Sequence, residues 1–251
     1  MKTVALRDPW LSTLLPDGWP VGGSTLITGP GGSGKPLIGS AVAAEWLRAG
    51  GSVVFMSLQY PDHQFIVAGL RNVAGLEVAD HAGRVAYLEL DASMDGLEQA
   101  ADDRIRANLV KPDIWDEALE RGCELVPDSG PGILVLGSAL NLLLFSPTYG
   151  AALLERMKAT LQGDGRRTYL FSVSSSAKKE MIEELEELAD NLIMSWSERD
   201  PFRLFMRIER MPGVSFVPTE VELPITPETL SEVKAVADHS RRRVIPQVSE
   251  L

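Results

Sequence analysis

Residues Gly29 to Pro36 read GPGGSGKP, the phosphate-cradling pattern G-x-x-x-x-G-K-[ST] complete up to its last letter. Such a run works because a glycine-rich turn lets successive backbone N–H groups converge on one concavity. The helix that follows adds its positive end, and the lysine reaches the outer phosphates. Gly29, Gly31, Gly32, Gly34 and Lys35 supply those parts here, with Ser33 among them. Pro36 stands where the pattern wants a hydroxyl. It offers no oxygen to Mg²⁺ and no N–H to a phosphate, and it disfavours the helical conformation of Lys35 before it. Hydrogen bonds to charged groups are worth roughly 1.5–3 kcal/mol, so the lost amide alone weakens phosphate affinity by about ten- to a hundredfold. The same proline suits the first turn of a helix. Folding therefore tolerates it better than chemistry does.

For such a loop to work, a buried strand must enter it and a helix must leave it. Ser24 to Thr28 is that strand, and Leu37 to Arg48, closed by Gly50 and Gly51, is the helix. Further along, apolar runs bounded by turn residues alternate with helix-period segments, the signature of a mostly parallel sheet wrapped by helices. Strands are expected at Ser52 to Ser57, Arg84 to Leu90, Ile133 to Leu136 and Thr168 to Val173. Helices are expected at His63 to Val73, Tyr149 to Leu161 and Lys178 to Leu188, the last with a solvated acidic face. Between Ser93 and Arg121 the pattern is polar and helical, broken by Pro112, and residues 93–131 read as a helical excursion outside the sheet. Asn191 to Glu222 reads as an antiparallel extension. Residues 1–226 thus form one domain, and 227–251 a short helix and tail.

The 251 residues carry a formal net charge of −11, with a pI near 4.8 and 45% hydrophobic content. One large core is the default. The acidic balance disfavours constitutive binding of nucleic acid or anionic lipid, which want a basic patch. Cys123 is the only cysteine, which leaves no intrachain disulfide and no cysteine-rich metal site. The N-terminus lacks a long apolar stretch, and the apolar run from Gly132 to Phe145 is too short to span a bilayer. A soluble, cytoplasmic protein with no membrane partner is the expectation.

Together these segments resemble the RecA superfamily, and within it the KaiC-like single-domain paralogues. Leu11 to Ser24 resembles the entry to that family's phosphate loop. Phe55 to Pro61 (FMSLQYP) takes the place of the segment that normally ends in two acidic residues. Leu134 to Leu140 (LVLGSAL) resembles the Walker B strand, and Phe205 to Gly213 (FMRIERMPG) the terminal strand whose basic residues reach a neighbouring subunit's nucleotide. The resemblance implies a RecA-like P-loop fold, with a mostly parallel central sheet flanked by helices and an antiparallel C-terminal extension. It also implies ATP as a ligand and assembly as a homo-oligomer or with an active paralogue.

The departures fall on catalysis. In the family, a Walker B aspartate orients the Mg²⁺ shell and a glutamate after the second strand activates water. Those positions resemble Gly137 and the pair Gln59 and Tyr60 here. Of the trans-acting basic pair, Arg210 is kept and Pro212 replaces the second member. The resemblance therefore implies weak ATP binding, with Mg²⁺ weak or absent.

Possible substitutes have bland alternatives. Asp91 after the third strand could approach Mg²⁺, but a carboxylate there commonly caps the next turn. Asn141 reads as a structural hydrogen-bonder. Ser172, Ser174, Ser175 and Ser176 end the strand that carries a polar phosphate sensor in the family; the alternative is a helix N-cap before Lys178. His63, His81 and His239 show no metal spacing and read as surface residues, and Trp10 and Trp19 read as packing. Three functions remain open: a non-hydrolysing pseudo-ATPase with a regulatory or structural role, an active ATP-dependent protein of DNA recombination or repair, and a nucleotide-free interaction scaffold. The first is preferred, because a hydrolase needs a metal ligand and a base that the sequence does not offer. An open concavity with Lys35 pointing in would mark a binding loop, and a collapsed loop a scaffold.

Overall fold

A computed structural model describes residues 2–60, 62–163, 165–224 and 239–251. At the N-terminus β1 (Thr3–Val4) and β2 (Trp19–Pro20) pair around α1 (Pro9–Leu14). Then come β3 (Gly23–Thr28), α2 (Lys35–Arg48), β4 (Ser52–Ser57), α3 (Gln64–Ala74) and β5 (Val85–Leu90). The chain continues through β6 (Leu97–Ala101), β7 (Arg104–Ala107), α4 (Pro112–Glu124) and β8 (Ile133–Ser138), with a 3₁₀ turn over Leu140–Phe145. It closes with α5 (Gly150–Leu161), β9 (Thr168–Ser172), α6 (Lys179–Leu188), β10 (Asn191–Arg199), β11 (Phe202–Arg210), β12 (Val221–Glu222) and α7 (Ile245–Ser249).

One sheet of ten strands holds the molecule together in the order β12-β11-β10-β3-β9-β8-β4-β5-β7-β6. From β10 to β7 every pairing is parallel, and β11, β12 and β6 add antiparallel edges. The parallel strands are buried on both faces, which is why they read as unbroken apolar runs. Their side chains alternate between two cores. Val53, Phe55, Leu134 and Leu136 join α1, α2 and α3 on one face, while Val54, Met56, Ile133 and Val135 join α4, α5, α6 and α7 on the other. The expected mostly parallel sheet, flanked by helices and extended antiparallel at its C-terminal end, is the fold observed.

Residues 93–131 differ from expectation. They are not a helical excursion, because Leu97–Ala101 and Arg104–Ala107 are strands that extend the sheet beyond β5. Charges at Glu98, Arg104 and Arg106 made this stretch look helical, but edge strands carry charge readily. Arg106 pairs with Asp91 and Glu98 across that edge. Pro112 starts α4 rather than breaking a helix, as its fixed φ and missing N–H allow. The helix expected after Pro227 falls largely on residues 225–238, outside the described residues. Within the tail, a π-turn over Ser240–Val244 leads into α7. No helix among the described residues is long and apolar enough to cross a membrane.

Trp46 anchors the α2 side of the core. It is fully buried, its indole N–H donates to the Gly132 carbonyl at 2.9 Å, and Gly51 packs so closely that a Cβ there would lie 2.5 Å from its Cδ1. Trp46→Ala should cost about 3–5 kcal/mol, read as a lower urea midpoint with an unchanged slope.

Candidate phosphate-binding site

The C-terminal ends of β3, β9, β8 and β4 lie side by side, and at β3 the order of strands reverses. Crevices that bind ligands in open parallel sheets form at such a point. The glycine loop leaves β3 there, and α2 carries it back over the sheet.

β10 and the antiparallel edge beside it seat the loop. Gly29 has φ 137°, and a Cβ on it would lie 1.9 Å from the Ser195 carbonyl oxygen of β10. Gly34 has φ 79°, and its Cβ would meet Leu204 of β11 and Leu223 after β12. Buried Ser33 shares a 2.7 Å hydrogen bond with the Ser195 hydroxyl. On the other flank Gly31 donates its N–H to the Ser176 hydroxyl, and Ser175 donates its N–H to the Gly29 carbonyl. The N–H groups of Gly32, Ser33 and Gly34 have no acceptor among the described residues. These are the donors that a phosphate would take up, and Pro36 adds none.

Lys35 is turned back on its own loop. Its ammonium donates to the carbonyls of Gly29 (2.8 Å) and Pro30 (2.7 Å) and to the Ser33 hydroxyl (3.0 Å), and the residue is only 7% exposed. Burial pushes its pKa down to about 7, since desolvation disfavours the charged form. The loop has not collapsed, however. Gly31 to Leu37 line a cleft of about 110 Å³, with Gln59 and Tyr60 after β4, Ala139 and Asn141 after β8, and Ser172 and Ser174 closing it from β9. Among the described residues, none that lines this cleft carries a carboxylate.

Gly137 does not reach the cleft. It lies opposite Met56 and Phe171 in the sheet, facing the core away from α2. A Cβ there would come within 2.8 Å of both Leu140 Cδ1 and Phe171 Cδ1. The chain turns straight after this strand: Ala139 adopts a left-handed φ of 58°, unusual for a residue with a side chain. Its N–H donates to the Ser172 hydroxyl at 3.3 Å. The space for a carboxylate beside Gly137 is thus filled with hydrocarbon.

The other candidates sort by contact. Asp91 accepts from the backbone N–H and hydroxyl of Ser93 and pairs with Arg106, so it caps a turn. Ser93 foremost among these partners lowers its pKa. The Asn141 side-chain oxygen accepts from the Ser174 N–H at 2.8 Å, a structural bond as expected. The serine run does not cap α6; Lys178 occupies that N-cap position, without a side-chain capping bond. The serines face the glycine loop instead. Arg210 donates to the carbonyls of Glu186, Ala189 and Asp190, closing the C-terminal end of α6 within its own chain. His63, His81 and His239 are half-buried rather than on the surface, and His63 lies against Glu89 and Arg104. Trp19 is fully buried and Trp10 packs on the same core. Phe65 and Gly69 of α3 and Ser40 of α2 also line the cleft. Sequence reading passed over them because they join the loop only through the packing of α2 against α3.

No known protein family profile matches this chain, and no curated protein matches it. Among solved structures it is similar to the KaiC-like protein of the hyperthermophilic archaeon Pyrococcus horikoshii (TM-score 0.66, 12% identity, covering 90% of this chain and 95% of that one). It is also similar to the flagellar accessory protein FlaH of Methanocaldococcus jannaschii (TM-score 0.64, 13% identity, the same coverage). At such identity the likeness is one of fold. The chain has the RecA-like α/β fold expected from its sequence.

Two consequences can be measured. Gly137→Asp should not create a metal site; overpacking and a buried charge should destabilise the fold by about 3 kcal/mol or more, seen in chemical unfolding. Lys35 titrates near 7 when folded against an ordinary 10.5. Below about pH 7 the fold therefore bears the full cost of a buried ammonium, and that cost fades as pH rises towards 10.5. Lys35→Met should raise the melting temperature at pH 6 and by progressively less towards pH 10.

Proposed function

We propose that this chain is a non-hydrolysing RecA/KaiC-like pseudo-ATPase with a regulatory or structural role, which holds the phosphates of ATP weakly in its glycine loop. One observation carries the proposal: the described residues that line the cleft beside the loop include no carboxylate, and the volume beside Gly137 is taken by Leu140 and Phe171.

Hydrolysis of a phosphoanhydride needs an oriented water, an acceptor for its proton and stabilisation of the developing charge. Gln59 lines the cleft and can orient water, but it cannot take a proton. The residues present do not fit Mg²⁺, since Pro36 replaces the hydroxyl ligand and hydrocarbon occupies the carboxylate position. A phosphate does fit, on the free N–H groups of Gly32, Ser33 and Gly34. Binding draws Lys35 away from three acceptors it already holds, so the net gain from its charge is small and affinity is low. Such a subunit works through its bound or empty state, in an assembly with its own copies or with an active paralogue in the cytoplasm. Within such an assembly, Arg210 would contact a neighbour only after leaving the carbonyls of α6. The nucleotide-free scaffold is the second reading, favoured by the retracted lysine.

A fluorescent ATP analogue should bind in the high micromolar range or more weakly, and Lys35→Ala should weaken that binding by no more than about tenfold. Absence of binding even at millimolar ligand would leave the scaffold. Phosphate release should stay at background with and without single-stranded DNA, and turnover abolished by Lys35→Ala would overturn the proposal. Pro36→Thr, which restores an amide and a hydroxyl, should tighten binding by about tenfold or more and still give no turnover.

A further inference from the structure

The cleft extends away from the glycine loop into the space between α2 and α3, and its character changes there. Near the loop the lining is polar: the backbone of Gly32 to Gly34, with Ser172 and Ser174. Beyond Pro36 and Leu37 it is aromatic and apolar. Tyr60 and Phe65, both half-buried, stack on each other with centroids 6.1 Å apart and planes 17° from parallel. Gly69 forms part of the wall, where a Cβ would stand 3.6 Å from the Ser40 hydroxyl and meet nothing else within 4 Å. A hydrolase would need a carboxylate and ordered water beside the terminal phosphate. This wall presents rings instead.

We propose that the cleft binds a phosphomonoester whose alcohol part is an aromatic ring, with the phosphate on the N–H groups of Gly32 to Gly34 and the ring against Tyr60 and Phe65. The inference rests on the glycine loop holding phosphate, as in the reading above, and goes beyond it in the direction of the ligand and in its class. Charge supports this class, because Lys35 is the lone cationic side chain among the described lining residues and no acid among them lies beside it to repel a dianion.

The test is calorimetric titration with phenyl phosphate, glycerol phosphate and inorganic phosphate, beside the fluorescent ATP analogue. Phenyl phosphate is expected to bind about tenfold or more tightly than the other two, as burial of a ring against an aromatic pair implies. Tyr60→Leu, Phe65→Leu and Gly69→Leu should each erase that preference while leaving phosphate binding in place; Tyr60→Phe should retain it. Gly69→Leu guards against loss of folding, because leucine is the better helix former and its side chain would enter the cleft. Equal affinity for the three small ligands overturns the inference while leaving loop binding intact. So does a preference that survives Gly69→Leu. Binding of the ATP analogue without phenyl phosphate overturns the inference alone, and failure of every ligand, ATP included, overturns it together with the nucleotide reading.

Discussion

The packing of Leu140 and Phe171 over Gly137 is the constraint on which the rest of the site depends. β8 is apolar up to this glycine, and the 3₁₀ turn that follows folds Leu140 back onto the end of its own strand. Ala139 takes a left-handed conformation between them, at an energetic cost that the buried turn offsets. Leu142, Leu143 and Leu144 continue into the same core, and Val244 and Val248 from the C-terminal segment cover it. The space beside this strand end is hydrophobic core. A charged side chain could return only by displacing several buried residues, not by exchange at one position.

The glycine loop keeps its geometry for an independent reason. Two of its three positive-φ positions, Gly29 and Gly34, are fixed by contact with β10, β11 and the segment after β12, so they matter to that end of the sheet as much as to any ligand. Ser33 is likewise shared between the loop and Ser195. The cradle of N–H groups is therefore kept whatever ligand it meets, because the sheet itself requires the turn. Lys35 shows the consequence. It satisfies its ammonium on Gly29, Pro30 and Ser33 and loses basicity through burial.

Much of this was legible in the sequence. The parallel strands announced themselves as apolar runs such as Ile133 to Leu136, and the loop as a pattern of glycines before Lys35. Pro36 at the start of α2 was legible because proline has one favourable place in a helix. The edge strands β6 and β7 were not, since Glu98, Arg104 and Arg106 read as a solvated helix until their pairing partners are known. Spacing along the chain also could not show that Gly137 faces Phe171, a neighbour 34 residues away in sequence that only the β8–β9 register brings close. For the same reason Phe65 and Gly69 became part of the cleft only once α2 and α3 were packed. Chemistry that depends on one segment was readable, whereas chemistry that depends on which elements are neighbours was not.

The central claim is that the loop can hold phosphate but that no carboxylate among the described residues beside it stands ready for Mg²⁺. The most direct test is the affinity of the intact protein for the ATP analogue, measured once with excess Mg²⁺ and once with a chelator at matched ionic strength. The two dissociation constants should agree within about twofold. Binding that is at least tenfold tighter with Mg²⁺ would contradict the claim, because it would require a metal ligand where Pro36, Leu140 and Phe171 leave none.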